Sequence, residues 1–310
     1  MINMSNSITN IILLAIIFEW YSIGRCAWQV INNPITKISQ IIYWVIRKRL
    51  ITMKWSNDWI ILIIYIIGWY LGVSLYNWFN CSRYGWILEL ILVTMLLAYK
   101  NMFCHVTKII DRLYNTDLEL CKYKLSGIVS RTVKNLNEHE ICNSLLLSLV
   151  ENISDGILLP AFYYLIGGLP GLTLYKTSDL IDSIIGNFKL SNKKLSLPVC
   201  QADSIVSAFP CFILLLILNL IKTTNAININ DIFNSQRWNT HSLILKLASW
   251  FNIKIWTGGK YGKQRIINKQ LNNSNYLPNG LDIIRLKRIL CSFITIFMIF
   301  IIISKRLSFI

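Results

Sequence analysis

The sequence predicts an all-α, polytopic membrane protein of about four to six membrane helices, with one broken, re-entrant apolar segment and amphipathic cytoplasmic helices. Three observations carry that prediction. Hydrophobic residues make up 54% of the 310 and charged residues only 15%. Uncharged stretches such as Trp59 to Phe79 reach the length at which a helix, rising ~1.5 Å per residue, crosses ~30 Å of hydrocarbon. A further apolar run, Ile157 to Tyr175, is interrupted by Gly167, Gly168, Pro170 and Gly171, as a chain that turns back inside the membrane requires.

The first membrane helix is read from Ile8 to Ile23, with Glu19 inside it, and not as a cleavable signal. The loop from Gly24 to Ser56 holds Arg25, Lys37, Arg47, Lys48, Arg49 and Lys54 and no acid, which places it in the cytoplasm by the positive-inside rule. Within it, Ile35 to Ile46 has the spacing of a helix lying on the membrane surface. Trp59 to Phe79 then crosses outward, with Trp55, Trp59, Tyr76 and Trp78 at its ends as interfacial anchors. A turn over Asn77 to Tyr84 leads to a returning span, Gly85 to Tyr99, which contains Glu89. An acid at membrane depth is a functional candidate by default, set against the plainer reading of an interfacial or helix-paired carboxylate.

Lys100 to Asn143 has the mixed charge of two or three amphipathic cytoplasmic helices. Asn137 followed by Glu140 reads as a capping box, opening a helix that runs through Ser144, Leu145 and Leu149 into Glu151. Ile157 to Tyr175 decides the topology. A crossing segment would leave the acids before and after it ~30 Å apart. A re-entrant one has a first arm, Ile157 to Ile166, of ~15 Å, about half the bilayer. Re-entry is the reading adopted. A second apolar run spans Ile205 to Ile221, a polar and basic stretch spans Thr223 to Lys287, and a last span covers Leu290 to Ser304. The whole is read as one membrane domain, 1–310, with membrane helices over 1–100, a motif-bearing region over 101–204 and C-terminal helices with a basic loop over 205–310.

Acidic residues are scarce, 15 against 31 basic ones, yet four bracket the broken run: Glu151 and Asp155, Asp179 and Asp182. Like charges at these helical spacings repel by a few tenths of a kcal/mol, so they persist cheaply when solvated or when a cation lies between them. The proposal from sequence is that the fold-back brings both pairs to one side of the membrane to hold Mg²⁺ and a nucleotide. The plain reading of Glu151 and Asp155 is a solvated helix end; that of Asp182 is a cap or a pair with Lys176. The eight cysteines form no Cys-x-x-Cys and the three histidines are isolated, which gives no zinc site and no disulfide framework. The basic excess suits lipid headgroups and phosphate-bearing substrates, and no nucleic acid is expected as a partner. Thr257-Gly-Gly-Lys-Tyr-Gly262 lacks phosphate-loop spacing and reads as an ordinary turn.

Ser148-Leu-Val-Glu-Asn-Ile-Ser-Asp-Gly156, Pro160-Ala-Phe-Tyr163, Gly167-Gly-Leu-Pro-Gly171 and Asp182-Ser-Ile-Ile-Gly186 together resemble the CobD/CbiB family. Weaker echoes are Asn33-Pro34-Ile35, Val129-Ser130-Arg131, Asp203 with Pro210, Asn239 and Lys260-Tyr261-Gly262. The chain departs from the family pattern at Asn33, Thr132, Leu147, Asp179 and the stretch after Asn239, where a carboxylate is missing. The resemblance implies an inner-membrane enzyme with a cytoplasmic active face, an adenosylcobinamide-phosphate synthase that forms an amide between a corrinoid propionate and aminopropanol, its phosphate or an ethanolamine analogue. It implies ATP and Mg²⁺ as co-reactants. Glu151, Asp155 and Asp182 are then expected as catalytic acids and Mg²⁺ ligands, with Asp203 as a fourth ligand. Arg131 and Lys260 would bind phosphate or propionate, and Asn152, Asn239 and Tyr261 would bind substrate. The alternatives are a non-catalytic membrane scaffold for other cobalamin-assembly enzymes, and a small-solute transporter built on Glu89 and the broken helix.

Overall fold

The structure is a computed structural model that describes residues 4–21, 57–97, 100–129, 131–186, 193–221, 240–261, 264–270 and 274–307. The basic loop over Gly24 to Ser56, with its surface helix, and Asn239 lie outside these residues. The described chain is helical apart from one two-stranded hairpin. It divides into two units, 1–97 with 160–206, and 98–159 with 207–310. The motif-bearing region is therefore shared between them.

The first unit opens with α1 (Met4–Tyr21), α2 (Asn57–Asn80) and α3 (Gly85–Leu96). The α2–α3 turn is tight. The Cys81 and Ser82 amides return to the carbonyls of Asn77 and Phe79 at 3.2 and 3.1 Å, and a Cβ on Gly85 would collide with the Phe79 carbonyl. Ile12, Ala15 and Ile16 of α1 are buried, and α1 packs against α3. On α2, by contrast, Ile66 and Ile67 stay more than half exposed at 57% and 58%. A helix that presents isoleucines outward is suited to lipid. Leu62–Asn80 and Gly280–Ile303 are long and apolar enough to cross a membrane, as is the window Glu138–Ser183, which contains the broken segment.

That broken segment is α7 (Leu159–Gly186), and it reverses at Gly168, whose backbone stands at φ 56°, ψ −147°. The pair of angles is open to glycine and closed to nearly every other residue. Two contacts establish the reversal. Gly171 sits against the Tyr163 carbonyl so closely that a Cβ would clash, and the Tyr163 and Tyr175 rings stack with centroids 5.4 Å apart and planes within 12°. In an unbroken helix those tyrosines would be ~18 Å apart. The expected fold-back is thus present as a helical hairpin. Pro170 opens the second arm, where its missing N–H costs no bond. The second arm lies along α2 in antiparallel order, Gly68 against Thr177 and Gly72 against Thr173 and Pro170, with no room for a side chain at either glycine. The N-terminal part of α8 (Lys193–Ile221) completes this unit, and the Tyr163 hydroxyl donates to the Val206 carbonyl at 2.6 Å.

The second unit is built on α6 (Glu138–Ile153), which buries every residue from Ile141 to Val150. Around it pack α4 (Lys100–Tyr114), α5 (Leu118–Ser126), α9 (Thr240–Phe251) and α10 (Gly280–Leu307). The Asn137–Glu140 capping box forms in both directions, at 2.9 and 2.8 Å. The strands β1 (Trp256–Tyr261) and β2 (Gln264–Gln270) pair antiparallel, with a bulge between Thr257 and Gly259 where Gly258 takes φ 113°. Here the sequence reading of a turn is corrected: Thr257 to Tyr261 is strand, held to α6 by a two-way bond between the Asn143 amide and the Trp256 backbone. Lys287 of α10 donates to the Thr107 hydroxyl of α4 at 2.6 Å. The last helix begins ten residues before the span read from the sequence, at a reciprocal Asn279–Asp282 cap of 3.1 and 3.0 Å.

Candidate functional site

In the first unit, Asp182 lies on the second arm of α7 and Asp203 on α8, both half-buried. One turn before Asp182 on the same arm is Ser178, fully buried at 0%. Its hydroxyl lies 2.8 Å from the Tyr65 hydroxyl and donates to the Asp203 carboxylate at 3.3 Å. Lys176 forms an ion pair with Asp179 at 3.1 Å. The three-residue spacing puts Lys176 and Asp179 on one helix face. Glu89, 7% exposed on α3, accepts a hydrogen bond from the buried Tyr164 at 2.7 Å, and is therefore paired across helices.

The second unit holds Glu151, Asn152 and Asp155. Glu151 and Asn152 are exposed near the end of α6, and Asp155 is half-buried in a π-helical turn, Ser154–Leu158. Such turns recur at functional sites. Asn152 turns its amide nitrogen onto the Ser148 carbonyl and hydroxyl at 2.8 and 3.1 Å. Arg131 is half-buried in the loop before α6, while Lys260 and Tyr261 lie on β1 opposite Arg265 and Gln264.

The carboxylates can be tested against Mg²⁺ on donor chemistry. Among the described residues no three His, Cys, Asp or Glu side chains gather into a metal cage. Mg²⁺ that travels with a nucleotide needs none, since one or two carboxylates, phosphate oxygens and water fill its octahedron. Asp203, which accepts from Ser178, and Asp182, one turn beyond Ser178 on α7, are carboxylates of that kind. Sequence reading found both acids and missed Tyr65 and Ser178. Tyr65 is 113 residues from Ser178 in a span where every apolar or aromatic residue reads alike.

A family profile described as "CobD/Cbib protein" matches residues 12–288. The chain belongs to the CobD/CbiB family. Among the curated members of that family, a "Cobalamin biosynthesis protein CobD" of Sinorhizobium fredii is 41% identical over 128 residues, 41% of this chain and 39% of the relative. One of Brucella anthropi is 29% identical over 196 residues, 59% of this chain and 58% of the relative. One of Leptospira interrogans is 36% identical over 110 residues, 36% of this chain and 34% of the relative. The chain thus spans about two-fifths of the length of the Sinorhizobium CobD protein it matches. No solved structure matches.

Proposed function

We propose that this CobD/CbiB member acts in cobalamin biosynthesis, forming an amide between a propionate of a corrinoid and a short amino alcohol, or its phosphate, with ATP as co-substrate. The observation that carries the reading is the bond from Ser178, one helical turn before Asp182 on α7, to Asp203 on α8, with the Tyr65 hydroxyl beside it. Family membership across residues 12–288 supplies the substrate class.

Amide formation in water is uphill, and ATP supplies the activation of the propionate. Asp182 and Asp203 in the first unit, and Glu151 and Asp155 in the second, are hard-oxygen groups of the kind that hold Mg²⁺ against phosphates. The amine reaches the site as an ammonium ion and must lose a proton before its lone pair attacks the activated carbon, and a carboxylate of this set takes that proton. Arg131 and Lys260 offset phosphate and propionate charge, and Asn152, Asn239 and Tyr261 bind the corrin rim through its amides. The basic loop over Gly24 to Ser56 supports an inner-membrane protein whose reaction faces the cytoplasm.

The test is growth of a synthase-deficient strain together with amide product from the purified protein in lipid nanodiscs. Growth and product are expected from the wild type, and Asp182→Asn and Asp155→Asn should each reduce product by about 100-fold or more, the scale of a lost charge-stabilising group. Growth indifferent to both substitutions would remove catalysis and leave a scaffold.

A further inference from the structure

We propose that Tyr65 and Ser178 are positioning residues for Asp203, a two-hydroxyl relay that fixes this carboxylate for the reaction; the role in catalysis rests on the function proposed above. The direction of the relay follows from proton counting. Ser178 has one hydroxyl proton, and an ionised Asp203 can only accept. Ser178 therefore donates to Asp203, and the contact between the two hydroxyls is Tyr65 donating to Ser178.

Ser178 also departs from what its neighbours do. On the same arm Thr173 and Thr177 send their hydroxyl protons back to the carbonyls of Leu169 and Thr173, at 2.9 and 2.7 Å. That local bond is the ordinary way for a helical hydroxyl to satisfy itself. Ser178, 0% exposed, instead sends its proton across to α8. Its lone pairs are met by a phenol from α2, so three helices meet at one oxygen atom. An aspartate on a helix has several rotamers, and anchoring Oδ1 through a buried donor selects among them. Polarisation by Tyr65 strengthens the hold, because hydrogen bonds in a chain reinforce one another in a low-dielectric setting.

The relay and the reaction can be tested separately with the full-length protein in nanodiscs. The tyrosine Fermi doublet in ultraviolet resonance Raman spectra, with Tyr65→Phe subtracted, reads whether the Tyr65 hydroxyl donates or accepts. It should report a donor in the wild type, as the proton count requires. A doublet that reports an acceptor would overturn the relay. In the amide assay, Ser178→Ala and Tyr65→Phe should each lower kcat by about tenfold, the scale of one hydrogen bond to a charged group. KM for the corrinoid should not move, and Ser178→Thr should restore kcat. Unchanged kcat, or a loss that Ser178→Thr does not repair, would overturn the positioning role. A wild type that makes no amide removes the proposed reaction and the positioning role with it, while the Raman response still decides whether the relay exists.

Discussion

A carboxylate only 7% exposed on an apolar helix needs a donor, and Tyr164 provides it from the first arm of the hairpin. Both groups are costly to strip of their partner, which makes the bond a sensitive tie between α3 and α7. Tyr164→Phe leaves Glu89 without that donor and should cost about 1–3 kcal/mol, whereas Glu89→Gln keeps an oxygen that accepts the same bond and should cost much less. Unfolding in mixed micelles measures both; equal losses would mean that the hydrogen bond is not what holds the pair. At this scale the sequence was legible in part. Glu89 stood out because acids are rare in spans, and the capping box was readable because its two residues are three apart. Ser178 did not stand out, because its importance comes from α2 and α8, which spacing within α7 cannot show.

Among the elements, the hairpin of α7 is the one whose sequence spoke most clearly. Gly-Gly-Leu-Pro-Gly announces a break, yet the motif does not say which glycine bears it. The structure assigns the turn to Gly168, at φ 56°, and leaves Gly167 with open space where a Cβ would go. Gly168→Ala should therefore destabilise the protein by about 1–3 kcal/mol, the usual cost of forcing a side chain into that region. Gly167→Ala should be neutral or stabilise by about 0.5 kcal/mol, by narrowing the unfolded ensemble. Thermal unfolding of the two variants in detergent checks the contrast, and a reversed order would move the turn. Two elements escaped the sequence. The π-helical turn at Ser154–Leu158 has residues compatible with an ordinary helix, so nothing local marks it. The β-hairpin is rich in glycine and lysine, a composition that strands usually avoid, and it depends on the Asn143 fork and on a bulge for its place.

For the molecule as a whole, hydropathy located the membrane helices because lipid-facing residues must be apolar whatever their neighbours. It could not separate one long helix from two short ones. Glu138–Ser183 scores as a single apolar window of 46 residues, yet the chain within it passes through a π turn and then doubles back at Gly168. Nor could it foresee that the motif-bearing region would be divided between two units, since that follows from which helices pack together. The acids were visible as acids, while the donors that hold two of them, Tyr164 on Glu89 and Ser178 on Asp203, come from 75 and 25 residues away.

The reversal at Gly168 underlies the rest, since it sets the second arm, with Ser178 and Asp182, along α2. Its most direct test is a disulfide. With the eight native cysteines replaced, Tyr163→Cys and Tyr175→Cys are introduced together and the membranes are oxidised. Rings stacked at 5.4 Å predict that the two thiols join and disappear from titration. Two thiols that remain fully titratable would mean an extended helix holding them ~18 Å apart, and would contradict the hairpin.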